Sequence, residues 1–545
     1  MSLPLPSIQL HAGSAESLKS LSDYDGTIVV FTDKSAIKSV MPSAAAFIEK
    51  DQEFGSEVQV LVESQVPGGR VILAPTGSLD GDFDDSRRFT DIAQKAVKRA
   101  LAAGIRSPVF YFADPPTSSP GAWTFNGEDD YSRFVEVTLL GALAGTFDPI
   151  NVREHHERTK KEYKTLSSIG VVLPQGFKGD EKQLIKSVEA IEAGRRVAKD
   201  IGSPDPERMS PINVTKYVEE VAFKGVDNIK LSVIEDIETI KKEYPLAHAV
   251  TRASLAVPRH HPRIVLLEYR SSDQSQVKEN LFFVGKGVTY DTGGADIKCS
   301  GHMRDMSRDK GGAAAVAGFL KTVSMLAPKH VNITAGLSLV RNSVGPDSYV
   351  SDEVLYSRNG TRVLVGNTDA EGRMVMTDLL CQFKERALAE EKNKAPSFLF
   401  TVATLTGHAL RAYGGYGITL DNGFARHNRI SKRLYDAGHV LADPFEISTL
   451  RREDIDCVQP GSASEDVVQA NDKASTLTDR GHQYPAGFML IASGLEKYGL
   501  ANKEKRLGYT HLDIAGSFET MSSIGWSLPT VVASPIPALT GAFLL

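Results

Sequence analysis

The stretch LFFVGKGVTYDTGGADIKCSGHMRDMSRDKGGAAAVAGFLKTVSML occupies Leu281–Leu326, and a second, NTDAEGR, occupies Asn367–Arg373. Leu281–Val284 is a short continuous apolar run of the kind that forms a buried strand, and the Gly-Lys-Gly after it lets backbone approach a neighbour closely. Lys286 therefore leaves the end of a strand. Asp291 follows five residues later, then Gly293-Gly294, and Lys298 stands seven beyond Asp291. Asp309 precedes Gly311-Gly312 and the apolar-periodic run Ala313–Leu320, which puts it at or near the start of a helix, where the helix dipole favours an anion. Asp369, Glu371 and Arg373 recur at every second position, so an extended backbone would turn all three the same way.

Carboxylates converging in an apolar setting repel one another, and a buried charge is costly unless paired or metal-bound. Divalent cations resolve the conflict. Four carboxylates, some of them bridging, suit two ions roughly 3.5–4 Å apart, an arrangement that serves hydrolysis by activated water. A lysine can join such a ligand set only as the neutral amine, and adjacent dications depress its pKa in that direction. The second lysine and the arginine stay cationic and can stabilise negative charge developing on a substrate oxygen.

At these residues the chain resembles the leucyl aminopeptidase family of di-metal exopeptidases, whose signature is NTDAEGR preceded by a GKG, hydrophobic, T, aromatic, D, S/T, GG and K segment. The heptapeptide is present without change, and the similarity runs from about Arg195 to the C-terminus. The resemblance implies that Lys286, Asp291, Asp309 and Glu371 hold the tighter metal. It implies that Asp291, Asp369 and Glu371 hold the more exchangeable one, with Asp291 and Glu371 bridging. Lys298 would polarise the scissile carbonyl, and Arg373 would hold a bicarbonate-like anion that acts as general base. The same resemblance lays TLTG at Thr404–Gly407 along the peptide through backbone groups of Thr404, Leu405 and Gly407. It places Asn367 of the signature against the substrate and lines the pocket for the first side chain with Met306, Ala515 and Phe518. A homohexamer, built as a dimer of trimers, is what it implies about assembly.

The bulk properties fit a soluble globular chain. With 545 residues, 41% hydrophobic and 24% charged, it is too long for one ordinary core. The net charge of −6, from 62 basic and 68 acidic residues, gives no reason to expect nucleic acid as a partner. Three cysteines, Cys299, Cys381 and Cys457, lack CxxC spacing and indicate neither a disulfide framework nor a thiolate zinc site. Cys299 adjoins Lys298, but neighbours in an extended segment point apart, and it reads as a bystander. The first residues lack a basic region followed by an apolar one, and no run reaches the length that spans a bilayer, so the expectation is a cytoplasmic protein with no membrane partner.

Strand and helix signals alternate along the whole chain, which predicts an α/β fold in two domains. Gly26–Phe31, Val58–Val62, Val71–Ala74, Val109–Phe112 and Ile169–Leu173 read as strands of a smaller N-terminal α/β domain, 1–180, with a helical stripe over Ser86–Ala103 stopped by Gly104. A helix and the prolines Pro204, Pro206 and Pro211 make a connection over 181–211. Residues 212–545 form the α/β/α catalytic domain with a mixed central sheet. Its expected elements include a helix over Asn213–Lys224 and strands over Arg263–Glu268, Asn332–Val340, Phe398–Thr404 and His511–Ser517.

The expected function is a metallo-aminopeptidase that uses two divalent ions per chain to release N-terminal residues from peptides. Zinc, manganese and magnesium all suit bridging carboxylates. Some residues depart from the family pattern. Phe518 stands where a Met is common and would narrow the pocket, Asp296 could pair with Lys298 and compete with substrate, and His408 follows TLTG where a small residue is usual. Phe518 and Asp296 leave open an alternative, a catalytically impaired member acting as a structural or interaction protein. A second rival, a di-metal phosphoesterase, would draw on histidine ligands, and no histidine stands among the matched positions.

Overall fold

In the computed structural model, which describes residues 5–116, 130–162, 164–390, 394–471, 477–520 and 530–545, the chain packs as two units. One comprises Met1–Glu192 with Asp436–Asp443, the other Ala193–Tyr435 with Pro444–Leu545. The division falls inside the long helix Glu181–Ile201. The fold is α/β with mixed sheets in both units.

The first unit is built on a six-stranded sheet in the order Ser7–Ala12, Ser168–Leu173, Pro108–Phe112, Gly26–Phe31, Arg70–Pro75 and Gln59–Val62. All neighbours are parallel except the last pair. Gly26–Phe31 is buried along its whole length, as its unbroken apolar run requires of a central parallel strand. The two edge strands, Ser7–Ala12 and Gln59–Val62, are the more exposed ones. Helix Arg87–Ala102 buries the stripe Phe89, Ile92, Ala93, Ala96, Val97 and Ala100, the face that the 3.6-residue period singles out.

The second unit carries an eight-stranded sheet: Phe445–Thr449, Gly417–Asp421, Leu507–Asp513, Ser397–Ala403, Glu279–Asp291, Val331–Asn342, Arg263–Tyr269 and Ile229–Ile234. The middle four strands, 507–513 to 331–342, are mutually parallel, and antiparallel pairs flank them. Helices lie on both faces. A Cβ on Gly285 would meet the backbone of Ala313, while one on Gly336 would meet Leu379 and Phe383. Gly336 pairs with Val284, whose side chain points opposite to that of its neighbour 285. Helix Gly311–Leu326 therefore covers one face and helix Glu371–Leu388 the other. Because the four central strands run the same way, their carboxyl ends open together at one edge, where ligands bind in open α/β sheets.

Three elements differ from their expected spans. The strand expected at Leu281–Val284 is longer, because Gly285 and Gly287 stay in the ladder between two parallel neighbours and the helix backbone closes over Gly285. The last strand of the sheet is Leu507–Asp513, not His511–Ser517. Asp513 ends it by accepting a hydrogen bond from the backbone N–H of Ala515 at 3.2 Å, which turns the chain. The helix expected over Asn213–Lys224 is α only over Pro211–Tyr217 and continues as a π turn through Ala222.

Candidate active site

Strand Glu279–Asp291 carries Lys286 and Asp291 at its carboxyl end, and the loop after it brings Lys298 and Asp309 back over the same edge. Lys286 Nζ lies 2.6 Å from Asp309 Oδ1 and 2.9 Å from Glu371 Oε1. It also donates to the carbonyl of Thr404 at 3.1 Å. Lys298 Nζ lies 3.0 Å from Asp291 Oδ2 and 2.5 Å from Asp369 Oδ1. The two segments singled out in the sequence are thus brought into one cluster, each ammonium seated between two carboxylates. Asp291, Asp309 and Glu371 are buried and offer ligand oxygens that all lie within 4.8 Å of one another.

The alternation of Asp369, Glu371 and Arg373 is not that of an extended segment. Asp369 stands in a turn, while Glu371 and Arg373 occupy the first turn of helix Glu371–Leu388. The helix start places Glu371 over the strand ends, and Gly372 makes room for the Lys286 side chain: a Cβ there would sit 2.5 Å from Lys286 Cε and 2.7 Å from its Nζ. Asp369 is held from behind, its N–H donating to Asn367 Oδ1 at 2.7 Å.

Burial disfavours the charged form of every group here, and neighbours decide which shifts survive. It pulls both lysines down, but Asp309, Glu371 and Asp291 outweigh it at Lys286, and Asp291, Glu371 and Asp369 outweigh it at Lys298, so both are raised. Burial and the Glu371 charge raise Asp291, while burial holds Asp309 well above the usual carboxylate range against the opposing pull of Lys286. Asp369 is pushed up to about 7 by burial and by Asp291 and Glu371. Only Glu371 is lowered, because Lys286 and Lys298 overcome its burial. Two ammoniums do not balance four carboxylates, and Asp309 Oδ2 and Glu371 Oε2 are buried without a hydrogen-bond partner among the described residues. Orphaned carboxylate oxygens in a cluster whose ligand atoms converge, oxygens with one lysine nitrogen, fit divalent cations.

The cluster forms the floor of a cleft of about 610 Å³. Met306, Asn367, Thr404, Leu405, Gly407 and Ala515 line it. Phe518 does not: its side chain is fully buried, packed where a Cβ on Gly311 or Gly202 would have to be. Asp296 does not pair with Lys298. Its carboxylate instead accepts from the backbone N–H of Thr368 at 2.7 Å and from the Thr368 hydroxyl at 3.1 Å, tying the two motif segments together. Arg373 donates to the carbonyl of Gln469 at 2.7 Å and lies over the Tyr484 ring, 4.9 Å from its centroid. Its Nε is buried without a partner among the described residues. Cys299 is exposed, its Sγ directed at the carbonyl of Ile297.

Three further residues hold the site and escape the sequence reading. Gln469 is wholly buried; its amide donates to the carbonyls of Asn367 and Ala370 and accepts from the N–H groups of Gly366 and Asn367, clamping the signature loop by four bonds. Asn342 donates to Asp291 Oδ1 at 2.8 Å and to the carbonyl of Thr368 at 3.1 Å. Asp513 accepts from the Thr406 hydroxyl at 2.7 Å and the Leu405 N–H at 3.3 Å, fixing the TLTG loop. All three act on segments distant in sequence, each through at least one backbone group, and only Asp513, at the end of the HLD strand, carries a local signal.

A family model described as the cytosol aminopeptidase family, catalytic domain, matches residues 196–532. The Caenorhabditis elegans protein named "Putative aminopeptidase W07G4.4" is 38% identical over 497 residues, 91% of this chain and 90% of that protein. Among solved structures, the apo leucyl aminopeptidase of Trypanosoma cruzi superposes with a TM-score of 0.74 at 18% identity, covering 99% of this chain and 98% of that one. The bottromycin maturation enzyme BotP in complex with Mn gives a TM-score of 0.72 at 20% identity, over 95% and 98% of the two chains.

Proposed function

Because this chain belongs to the cytosol aminopeptidase family and is a metallo-aminopeptidase of that family, we propose that it releases the N-terminal residue of peptides through a two-cation site. Lys286, Asp291, Asp309 and Glu371 would hold one cation, and Asp291, Asp369 and Glu371 the other. The observation that carries this reading is the buried trio Asp291, Asp309 and Glu371, with ligand oxygens within 4.8 Å and two of those oxygen pairs left half-satisfied. When bound, such cations supply Lewis acidity and a water activated for attack near neutral pH.

The chain's own residues do the rest. The acidic floor receives the free amine of the peptide, which a blocked N-terminus cannot offer. Lys298, with 14% of its side chain exposed at the rim of the cluster, donates to the scissile carbonyl oxygen as negative charge develops there. Thr404, Leu405 and Gly407 align the peptide backbone, while Met306 and Ala515 wall the pocket for the first side chain. The unpartnered Nε of Arg373 is a donor for a bicarbonate-like anion that accepts the proton of the attacking water. Zinc, manganese and magnesium are all compatible with the oxygen-rich donor set. A cytoplasmic setting and a homohexamer belong to the same proposal. The first is supported by the family's description as cytosol aminopeptidases and the second by the resemblance at the two motifs alone; among the described residues no helix is long and apolar enough to cross a membrane.

The two residues that motivated a non-catalytic reading stand elsewhere than expected, Phe518 in the core and Asp296 on Thr368. The test is hydrolysis of aminoacyl amides and dipeptides by metal-loaded protein, with N-acetylated substrates and Lys298→Ala as controls. Metal-dependent release confined to free N-termini is expected. No release from any substrate by protein shown to hold two metals per chain would overturn the reading.

A further inference from the structure

The carboxylates of the cleft are confined to part of its lining, where Lys286, Lys298, Arg308 and Arg373 stand among them. They come from the segments 291–309 and 369–371 and from Glu519. The opposite wall, built by 404–411 and 470–484, contributes no carboxylate among the described lining residues, yet it contributes His408 and Arg411. These two stand three apart on helix Gly407–Tyr413 and so share a face. His408 Nε2 is buried without a partner, and Arg411 makes no ion pair or hydrogen bond among the described residues. The His408 ring lies so close over Gly481 that a Cβ there would overlap it, so the backbone of the adjoining segment of the same wall fixes its position. Neither residue is used by the chemistry described above.

A peptide substrate matches this arrangement. Its free amine goes to the acidic floor, and the residues beyond the scissile bond run along the segment that starts at Thr404, in contact with Lys286 and Asp309, and ends at Arg411. We propose that His408 and Arg411 receive a carboxylate of the substrate on the leaving-group side of the scissile bond, which makes dipeptides and peptides acidic at the second residue the preferred substrate class. This inference rests on the aminopeptidase reading. The carboxylate can be the α-carboxylate of a dipeptide or the side chain of an acidic second residue; both offer the same planar pair of acceptors to a guanidinium.

The experiment compares four substrates with the metal-loaded full chain: leucyl-glycine, leucyl-glycinamide, leucyl-aspartic acid amidated at the α-position only, and the same compound amidated at both carboxyl positions. For the wild type, kcat/KM is expected to be about fivefold to tenfold higher for each substrate that keeps a carboxylate than for its amide, the range for a charge-assisted contact that is partly exposed. In the His408→Gln/Arg411→Gln double variant these ratios are expected to fall to about one, through KM. A gain seen only for leucyl-glycine identifies the α-carboxylate, and a gain only for the aspartyl side chain identifies the acidic residue. Ratios that the variant leaves unchanged, or ratios near one in the wild type, overturn the proposal. If no substrate is turned over, the aminopeptidase reading fails, and calorimetric binding of the same compounds decides this one: a carboxylate-over-amide preference lost in the variant sustains it, and equal binding overturns it.

Discussion

Lys286 and Lys298 carry the same ammonium group, and the difference between them is position. Lys286 is enclosed by Asp309, Glu371 and the carbonyl of Thr404 with 3% of its side chain exposed, whereas Lys298 reaches the rim at 14%. The enclosed one suits a ligand and the rim one a donor to substrate. Lys298→Ala should therefore lower kcat by about 10²–10³-fold, as loss of a charge-stabilising donor does, while metal content measured by atomic absorption stays at the wild-type level. Loss of metal along with activity would instead make Lys298 part of the binding set. Both lysines were legible because motif spacing fixes them; Gln469 and Asn342 were not, because a side chain that bonds to backbone elsewhere leaves no pattern in its own neighbourhood. Asp378 is of the second kind. Fully buried in helix Glu371–Leu388, it accepts from the N–H groups of Leu246 and Arg358 at 2.7 and 2.8 Å, and burial still pushes it up to about 7. A carboxyl whose folded pKa lies above its unfolded value binds its proton more tightly in the native state. Its contribution is complete below pH 4 and lost as pH rises to 7, up to about 4 kcal/mol. Urea unfolding at pH 5 and pH 8 should show a stability gap that shrinks in Asp378→Asn, and an unchanged gap would remove Asp378 as its source.

At the scale of elements, the site depends on how closely helix Gly311–Leu326 approaches the sheet. Gly312 is the point of contact: a Cβ there would overlap the carbonyl of Val402 and sit 2.9 Å from the backbone N of Lys286. Strand 279–291, strand 397–403 and the helix start are thus locked together next to Lys286 and Asp309. Gly312→Ala should destabilise the protein by about 3 kcal/mol, the upper range for overpacking against backbone that cannot yield, and weaken metal binding because Lys286 and Asp309 are displaced together. Calorimetric titration with Mn²⁺ measures the second effect; wild-type affinity in a destabilised variant would separate packing from the site. The Gly-Gly pair before an apolar run announced a helix start in the sequence, and the apolar run of 281–284 announced a strand. What the sequence did not disclose was that Gly285-Lys286-Gly287 remains in the strand, since only parallel neighbours on both sides keep such a segment extended. The turn at Asp369 and the helix start at Glu371 were hidden for a related reason. An every-second-residue pattern of charges suits an extended chain as well as the entrance to a helix, and tertiary packing chooses.

At the scale of the whole molecule, the alternation of strands and helices was enough to read an α/β protein, but not the path of the chain between its two units. Asp436–Asp443 belongs with the first unit although it lies deep in the second half of the sequence, at the end of helix Ile430–Val440. Pro444 marks only the return to the second unit; the outward crossing at Asp436 falls inside a helix with no break in the sequence, because an amphipathic helix looks the same whichever core it meets. The units differ in what a cation can do for them. Among the described residues, the group of carboxylates able to hold a metal lies entirely in the second unit. A ligand stabilises only the state that binds it, by about 2.7 kcal/mol for each site at a hundredfold excess over Kd, and a chain with two cores need not unfold in one step. Scanning calorimetry of chelator-treated protein, before and after Mn²⁺ is restored, should therefore move one transition upward by several degrees and leave another in place. The moving transition should be the one that Gly312→Ala lowers. A metal-induced shift of the transition that Gly312→Ala leaves untouched would mean that the cations act outside the carboxylate cluster, and no shift at all would mean that the four carboxylates are balanced by their lysines alone.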